Sequence, residues 1–190
     1  MTQIFFSDYA NKLSSILKAS DWGKVSILAD DLLECWQNGN QVFLCGNGGS
    51  AGNASHLAND FIYGVARSKG EGLKAISLSG NVSVITCLAN DVGYDSIFSE
   101  QLAVLARPND ILIALSGSGN SSNIVSAIKE AKVLRVKSYA VLGFDGGECK
   151  KIADHAIHFD INDMQLAEDL QLIVGHMLMK KLYNSKKIIK

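Results

Sequence analysis

The chain has 190 residues, 47% of them hydrophobic, enough for one well-buried domain and short for two. With 18 basic and 19 acidic residues the formal charge is −1, which leaves no basic face broad enough to follow a nucleic-acid backbone. No apolar run approaches the ~20 residues that span a membrane, so neither nucleic acid nor membrane is expected as a partner.

Residues 3–18 and 23–38 carry apolar positions at helical spacing, with Leu13, Ile16 and Leu17 in the first and Val25, Leu28, Leu32 and Trp36 in the second. Asn38-Gly39-Asn40 ends the second helix with residues that tolerate a left-handed backbone. Gln41–Cys45 is a short apolar run stopped by Gly46, the pattern of a buried strand. The grammar recurs. Residues 74–78 precede a helix near 82–90, residues 110–115 precede a helix over 121–132, and residues 138–142 lead into Gly143-Phe144-Asp145-Gly146-Gly147. A short strand is predicted over 156–159 and a long helix over 163–183. The single proline, Pro108, falls in the turn before the third strand.

Apolar strands alternating with helices predict a mainly parallel sheet covered on both faces, hence one α/β domain: helices over 1–38, a core over 41–160 and a closing helix over 163–183. Ligands of such sheets bind beyond the carboxyl ends of the strands. The informative loops are therefore 46–50, 79–81, 116–122 and 143–147. Cys35, Cys45, Cys87 and Cys149 form no C-x-x-C pair. The opening residues lack the basic and apolar regions of a secretory signal, so reduced, mostly buried thiols in a cytoplasmic protein are expected. Cys45 adjoins the first glycine loop, but nothing near it in sequence would lower its pKa. The C-terminal lysines, Lys186, Lys187 and Lys190, fit a solvated tail.

The first loop, Gly46-Asn47-Gly48-Gly49-Ser50, lets the backbone approach a ligand closely and opens into a helix whose first N–H groups suit an anion or a sugar oxygen. The third, Ser116-Gly117-Ser118-Gly119-Asn120-Ser121-Ser122, offers four hydroxyls at another helix start. It lacks the lysine of a nucleotide P-loop and does not fit a dinucleotide fingerprint. A small phosphorylated metabolite suits it better, set against the plainer reading of a serine-capped helix. On the helix of about 51–63, Ala51, Ala54, Leu57, Ala58 and Phe61 form an apolar face, while Asn53, His56 and Asp60 share another. His56 and Asp60, one turn apart, can reach one metal ion, although such pairs also occur as surface ion pairs. The last helix is expected to bury Leu166, Leu170, Ile173, Met177 and Leu178. Helical periodicity puts Asp169 rather than Glu168 most nearly in line with His176. His155 and His158 are expected to be structural or exposed.

The run Cys45–Ser50, then His56, Ala89-Asn90-Asp91, Ser116–Ser121, Gly143–Gly147 and a last helix bearing Glu168 and His176 closely resembles the phosphoheptose isomerases of the SIS (sugar isomerase) type. The likeness spans almost the whole chain in family order. It implies a flavodoxin-like three-layer sandwich with a five-stranded parallel sheet, assembled as a homotetramer with active sites between subunits. It implies that Asn47, Gly48, Gly49, Asn90 and Asp91 hold the sugar, with Ser50 beside them. Ser116, Ser118 and Ser121, with Gly117 between, would hold the phosphate. Asp60 would be base and zinc ligand, His176 acid and zinc ligand, with His56 and Glu168 completing a Zn²⁺ site and Glu168 near the substrate. Three positions depart from the family: Asp60 stands for Glu, Glu168 for Gln, and Gly117 for Thr. The implied chemistry is aldose–ketose isomerisation of a sugar phosphate, sedoheptulose 7-phosphate first, in heptose synthesis for lipopolysaccharide or capsule. The competing implications are a non-catalytic SIS protein that binds a protein partner such as a replication initiator, and an isomerase of another sugar phosphate. The carboxylate after His56 favours the enzyme. Apolar faces on the opening helices, and Met164, Met177 and Met179, exceed what covering one sheet requires and point to self-association.

Overall fold

The computed structural model describes residues 2–185; the C-terminal lysines lie outside them. Helices α1 (Thr2–Ala19) and α2 (Gly23–Gln37) precede strand β1 (Gln41–Cys45) and helix α3 (Gly49–Asn59), which continues as one π-helical turn, Asp60–Gly64. Then come β2 (Lys74–Ser77), α4 (Val82–Asp91), a 3-10 turn (Tyr94–Ser96) and α5 (Ser99–Leu105). They are followed by β3 (Ile111–Ser116), α6 (Ser122–Val133), β4 (Lys137–Leu142), α7 (Cys149–Ile152), β5 (His155–His158) and α8 (Met164–Ser185).

The strands form one five-stranded sheet in the order β2-β1-β3-β4-β5, with every pairing parallel. Alternation along the strands divides the core in two. Val42 and Leu44, with Ile111, Ile113 and Leu115, face α2, α3 and α8. Phe43 and Cys45, with Leu112 and Ala114, face α5 and α6. This is the expected α/β sandwich. The chain order reverses between β1 and β3, so the glycine loop after β1 and the serine loop after β3 meet at the switch point of the sheet.

α8 departs from expectation. Leu166, Leu170 and Leu178 are buried, but Met177 is 41% exposed and Ile173 only half-buried. Gln171, Val174 and Gly175 are buried instead, because α8 packs on α2 and α3 as well as on the sheet. On α3, Ala51 is half-buried whereas Ala54, Leu57, Ala58 and the following Phe61 are buried. The 3-10 turn, α5 and α7 were not foreseen. α4, rich in apolar residues, buries none of them, and Ile4, Phe5 and Phe6 on α1 stand exposed.

Candidate active site

α3 and α8 run side by side in the same direction. Paired positions climb together along both helices: Gly49 with Glu168, Leu57 with Gly175, Gly64 with Met179. A Cβ on Gly175 would overlap Leu57, and one on Gly49 would overlap the Glu168 carboxylate. Asn53 Nδ2 adds two cross-ties, donating to the Glu168 carbonyl at 2.9 Å and to Gln171 Oε1 at 3.2 Å. The Gln171 amide nitrogen is buried without a protein partner.

This close pairing brings His56 of α3 to His176 of α8. Their Nε2 atoms are 2.9 Å apart and the rings meet edge-on. Asp60 Oδ2 lies 3.5 Å from His56 Nε2 and 3.7 Å from His176 Nε2. Two imidazole nitrogens and a carboxylate oxygen thus converge within 4.8 Å of one another, a donor set that suits a zinc-type ion and suits an oxygen-seeking Mg²⁺ or Ca²⁺ less well. Asp60 opens the π turn, its carbonyl accepting from Val65 N at 3.0 Å; single π turns within helices recur at functional sites.

Glu168 is not in that group. Its carboxylate lies against Gly49, at the start of α3, where free N–H groups and the helix dipole favour an anion. Asp169, the residue periodicity favoured, is turned to α1: Tyr9 OH donates to it at 2.6 Å. That bond pushes the Tyr9 hydroxyl up to about 12.

In the glycine loop, Gly48 has φ of +54° and Ser50 is buried. The Asn47 side chain is held by protein groups. Its Nδ2 donates to Asn123 Oδ1 at 2.8 Å, and its Oδ1 accepts from Asn123 Nδ2 at 2.9 Å and from Tyr94 OH at 3.0 Å. Ser79 Oγ ties the second loop to the first by donating to the Gly46 carbonyl at 2.9 Å. Asn90 and Asp91 sit exposed at the end of α4, bonded to each other at 2.7 Å.

In the serine loop, Ser116 Oγ accepts from Gly119 N at 3.0 Å and Ser118 Oγ accepts from Asn120 N at 3.3 Å, so both hydroxyl protons remain available to a ligand. Ser121 occupies the N-cap position of α6, but its side chain makes no capping bond. The plainer reading of a serine-capped helix therefore fails at Ser121, and the α6 N-terminus keeps the character of an anion site. A Cβ at Gly117 would come 2.5 Å from Met164 Sδ, so Met164 fills the space that a threonine would need.

Cys45 is fully buried, and burial pushes its thiol well above its ordinary value; it is no nucleophile. A depression of about 830 Å³, lined by Asp31, Arg135 and His155 among others, lies at the amino ends of the strands, at the sheet edge away from the glycine and serine loops. His155 stacks on Tyr139 and His158 Nε2 lies 2.9 Å from the Phe144 carbonyl, both structural positions. Sequence reasoning missed Asn123, Tyr94 and Gln171. Asn123 was legible only as a residue of the α6 start, and Tyr94 lies in a stretch without periodicity.

The SIS domain family model matches residues 5–143. The phosphoheptose isomerase of Helicobacter pylori (strain ATCC 700392 / 26695) is 37% identical over 147 residues, 77% of this chain and 76% of that protein. That of Chlorobaculum parvum is 36% identical over 176 residues, 90% of this chain and 83% of that one. Among solved structures, a phosphoheptose isomerase from Francisella tularensis superposes with a TM-score of 0.89 at 27% identity, over 96% of both chains. The one from Neisseria gonorrhoeae gives 0.87 at 26%, over 96% of this chain and 98% of that one. Glycine loop, serine loop and paired helices therefore sit on a fold and sequence shared with these proteins, and the chain belongs to the SIS domain family, among the phosphoheptose isomerases.

Proposed function

We propose that this chain is an aldose–ketose isomerase of sugar phosphates that converts sedoheptulose 7-phosphate to the corresponding heptose 7-phosphate for lipopolysaccharide or capsule. The observation that carries the proposal is the convergence of His56, Asp60 and His176 where α8 packs on the helix that opens at the glycine loop, in a chain of this family. The phosphate is received by Ser116, Ser118 and Ser121, with Gly117 between them, at the α6 N-terminus; the sugar lies along Asn47, Gly48, Gly49 and Ser50, with Asn90 and Asp91. Asp60 removes the proton from C1, alpha to the ketose carbonyl, while His176 gives a proton to O2, leaving an enediol. Asp60 then returns a proton to C2 and His176 takes one from O1, so the aldose forms without net gain or loss. His56, Asp60 and His176, with Glu168 as the fourth candidate, would hold Zn²⁺, which when bound polarises the two sugar oxygens.

We take residues 1–190 as a single SIS domain that works as a cytoplasmic homotetramer. The exposed Ile4, Phe5 and Phe6 and the uncovered α4 support self-association. The free cysteines fit a reducing compartment, and among the described residues no helix is long and apolar enough to cross a membrane. The test is NMR observation of sedoheptulose 7-phosphate with purified protein, before and after chelation and after Zn²⁺ is restored. Turnover lost on chelation and regained with Zn²⁺ is expected. Absence of turnover under all three conditions sinks the proposal, and full turnover after exhaustive chelation removes the metal from it.

A further inference from the structure

Side chains fasten the loops at the carboxyl edge of the sheet to one another, and three segments meet at one node. Asn47 of the first loop and Asn123 of α6 face each other as a reciprocal amide pair, 76 residues apart in sequence. Asn123 is 1% exposed. Tyr94, from the turn after α4, adds its hydroxyl to the Asn47 oxygen. The next residue, Asp95, accepts a short hydrogen bond from Ser122 Oγ at the α6 start. Residues of the candidate sugar loop, the candidate phosphate helix and the turn beyond Asn90-Asp91 therefore meet on one amide.

A carboxamide has two N–H donors and an oxygen with two lone pairs. Here both lone pairs of Asn47 Oδ1 are filled, and one Nδ2 hydrogen is used. A single N–H remains, on the side away from Asn123, and the planar amide cannot rotate without breaking three bonds. On the isomerase reading above, we propose that Tyr94 and Asn123 are positioning residues. They hold Asn47 so that its one unused N–H meets a sugar hydroxyl at a fixed distance from the phosphate cradle of α6. Neither touches the reacting atoms. Their effect is on affinity for the sugar part of the substrate, because a donor fixed before binding loses little freedom on binding.

Tyr94→Phe is the cleaner variant, since the ring is 53% exposed and only its hydroxyl is lost. KM for the sugar phosphate should rise by about three- to tenfold, the range of one neutral hydrogen bond. The kcat should stay within about twofold, since no transition-state contact is removed. Inhibition by inorganic phosphate, which uses only the serine loop, should not change, and neither should the melting temperature. Asn123→Ala removes both bonds to Asn47 without adding charge beside Ser121, and should raise KM further, again sparing inorganic phosphate. A wild-type KM in Tyr94→Phe overturns the proposal. So does an equal loss of affinity for sugar phosphate and inorganic phosphate, which would mark a structural role only. Calorimetric titration with sedoheptulose 7-phosphate reads the tie without turnover. Wild-type protein that binds the sugar phosphate, with Tyr94→Phe binding it more weakly, but turns over none of it refutes the isomerase reading and leaves the positioning role standing. Wild-type protein that binds none refutes both.

Discussion

Gly175→Ala tests whether the spacing of α3 and α8 sets the chemistry. The added Cβ would stand 2.1 Å from Leu57 Cδ2, where ordinary carbon contacts are ~3.5–4.0 Å, so α8 must retreat by about 1.4–1.9 Å. Leu57 is 2% exposed and has no room to swing aside. Overpacking of this kind costs about 1–3 kcal/mol, offset by ~1 kcal/mol from replacing glycine inside a helix. The net destabilisation is therefore about 0–2 kcal/mol, and the protein stays folded. His176 moves with α8 while His56 and Asp60 stay on α3, and a misplacement of ~1 Å at a reacting centre costs about 10²-fold in rate. Circular dichroism melts, Zn²⁺ titration and the NMR turnover assay measure the three quantities separately. Adding Leu57→Ala to Gly175→Ala should recover part of the rate while lowering stability further, because it returns the space and loses buried surface. Wild-type rate and Zn²⁺ affinity in Gly175→Ala would refute the claim that this contact sets the site.

Ser118→Ala and Ser121→Ala should each weaken sugar-phosphate binding by about 1–3 kcal/mol, read by calorimetry, with the melt unchanged; unaltered affinity in both would move the phosphate elsewhere. Acid should destabilise the protein through Asp31 and Asp163. Burial would raise Asp31, but hydrogen bonds from Tyr139 and Lys137 outweigh it and hold it below its ordinary value. The Leu166 N–H, then Lys12, does the same for Asp163. Both are depressed on folding, so their stabilisation is complete above pH ~4 and disappears as pH falls through the folded values. The urea midpoint should change little between pH 7 and 5 and fall below pH 4, less steeply in Asp31→Asn; an equal fall in that variant would exclude Asp31 as a contributor.

The central strands β1, β3 and β4 were legible because each is a short apolar run buried on both faces, and such runs between glycine-bearing turns have few other uses. β1, β3 and β4 therefore came out within a residue or so of their ends. The Tyr94–Ser96 turn and α5 did not, since three and seven residues are too few to show a period. Met177 was misplaced because the contact surface of α8 is divided among three neighbours, the sheet, α2 and α3, and one-sided periodicity assumes one. His56, Asp60 and His176 were legible through the family likeness, and two of them also through i,i+4 spacing. The convergence of the third depends on the small residues that let α3 and α8 close up. Nothing in local sequence marks Asn47 and Asn123 as partners, because their pairing is made by the sheet order β1-β3.

Glu168 decides how the departures from the family work together. Its carboxylate rests at the α3 N-terminus, against Gly49, a location worth about 0.3–1 kcal/mol to an anion. Glutamine there keeps the shape and loses the charge, so Glu168→Gln should shift the melt by no more than that amount. Asp60 already places one carboxylate beside the two histidines. If Glu168 supplies a second negative charge to the same ion, its removal should weaken Zn²⁺ binding by about 10- to 100-fold, the range for groups that support a metal site. At saturating Zn²⁺ the turnover should not fall, because a site with one fewer anion leaves the ion a stronger Lewis acid. Competition with a chromophoric chelator measures the affinity, and NMR turnover at saturating Zn²⁺ measures the rate. Zn²⁺ affinity equal to wild type in Glu168→Gln would mean that this carboxylate serves the helix start alone, and that His56, Asp60 and His176 are the full set of protein ligands.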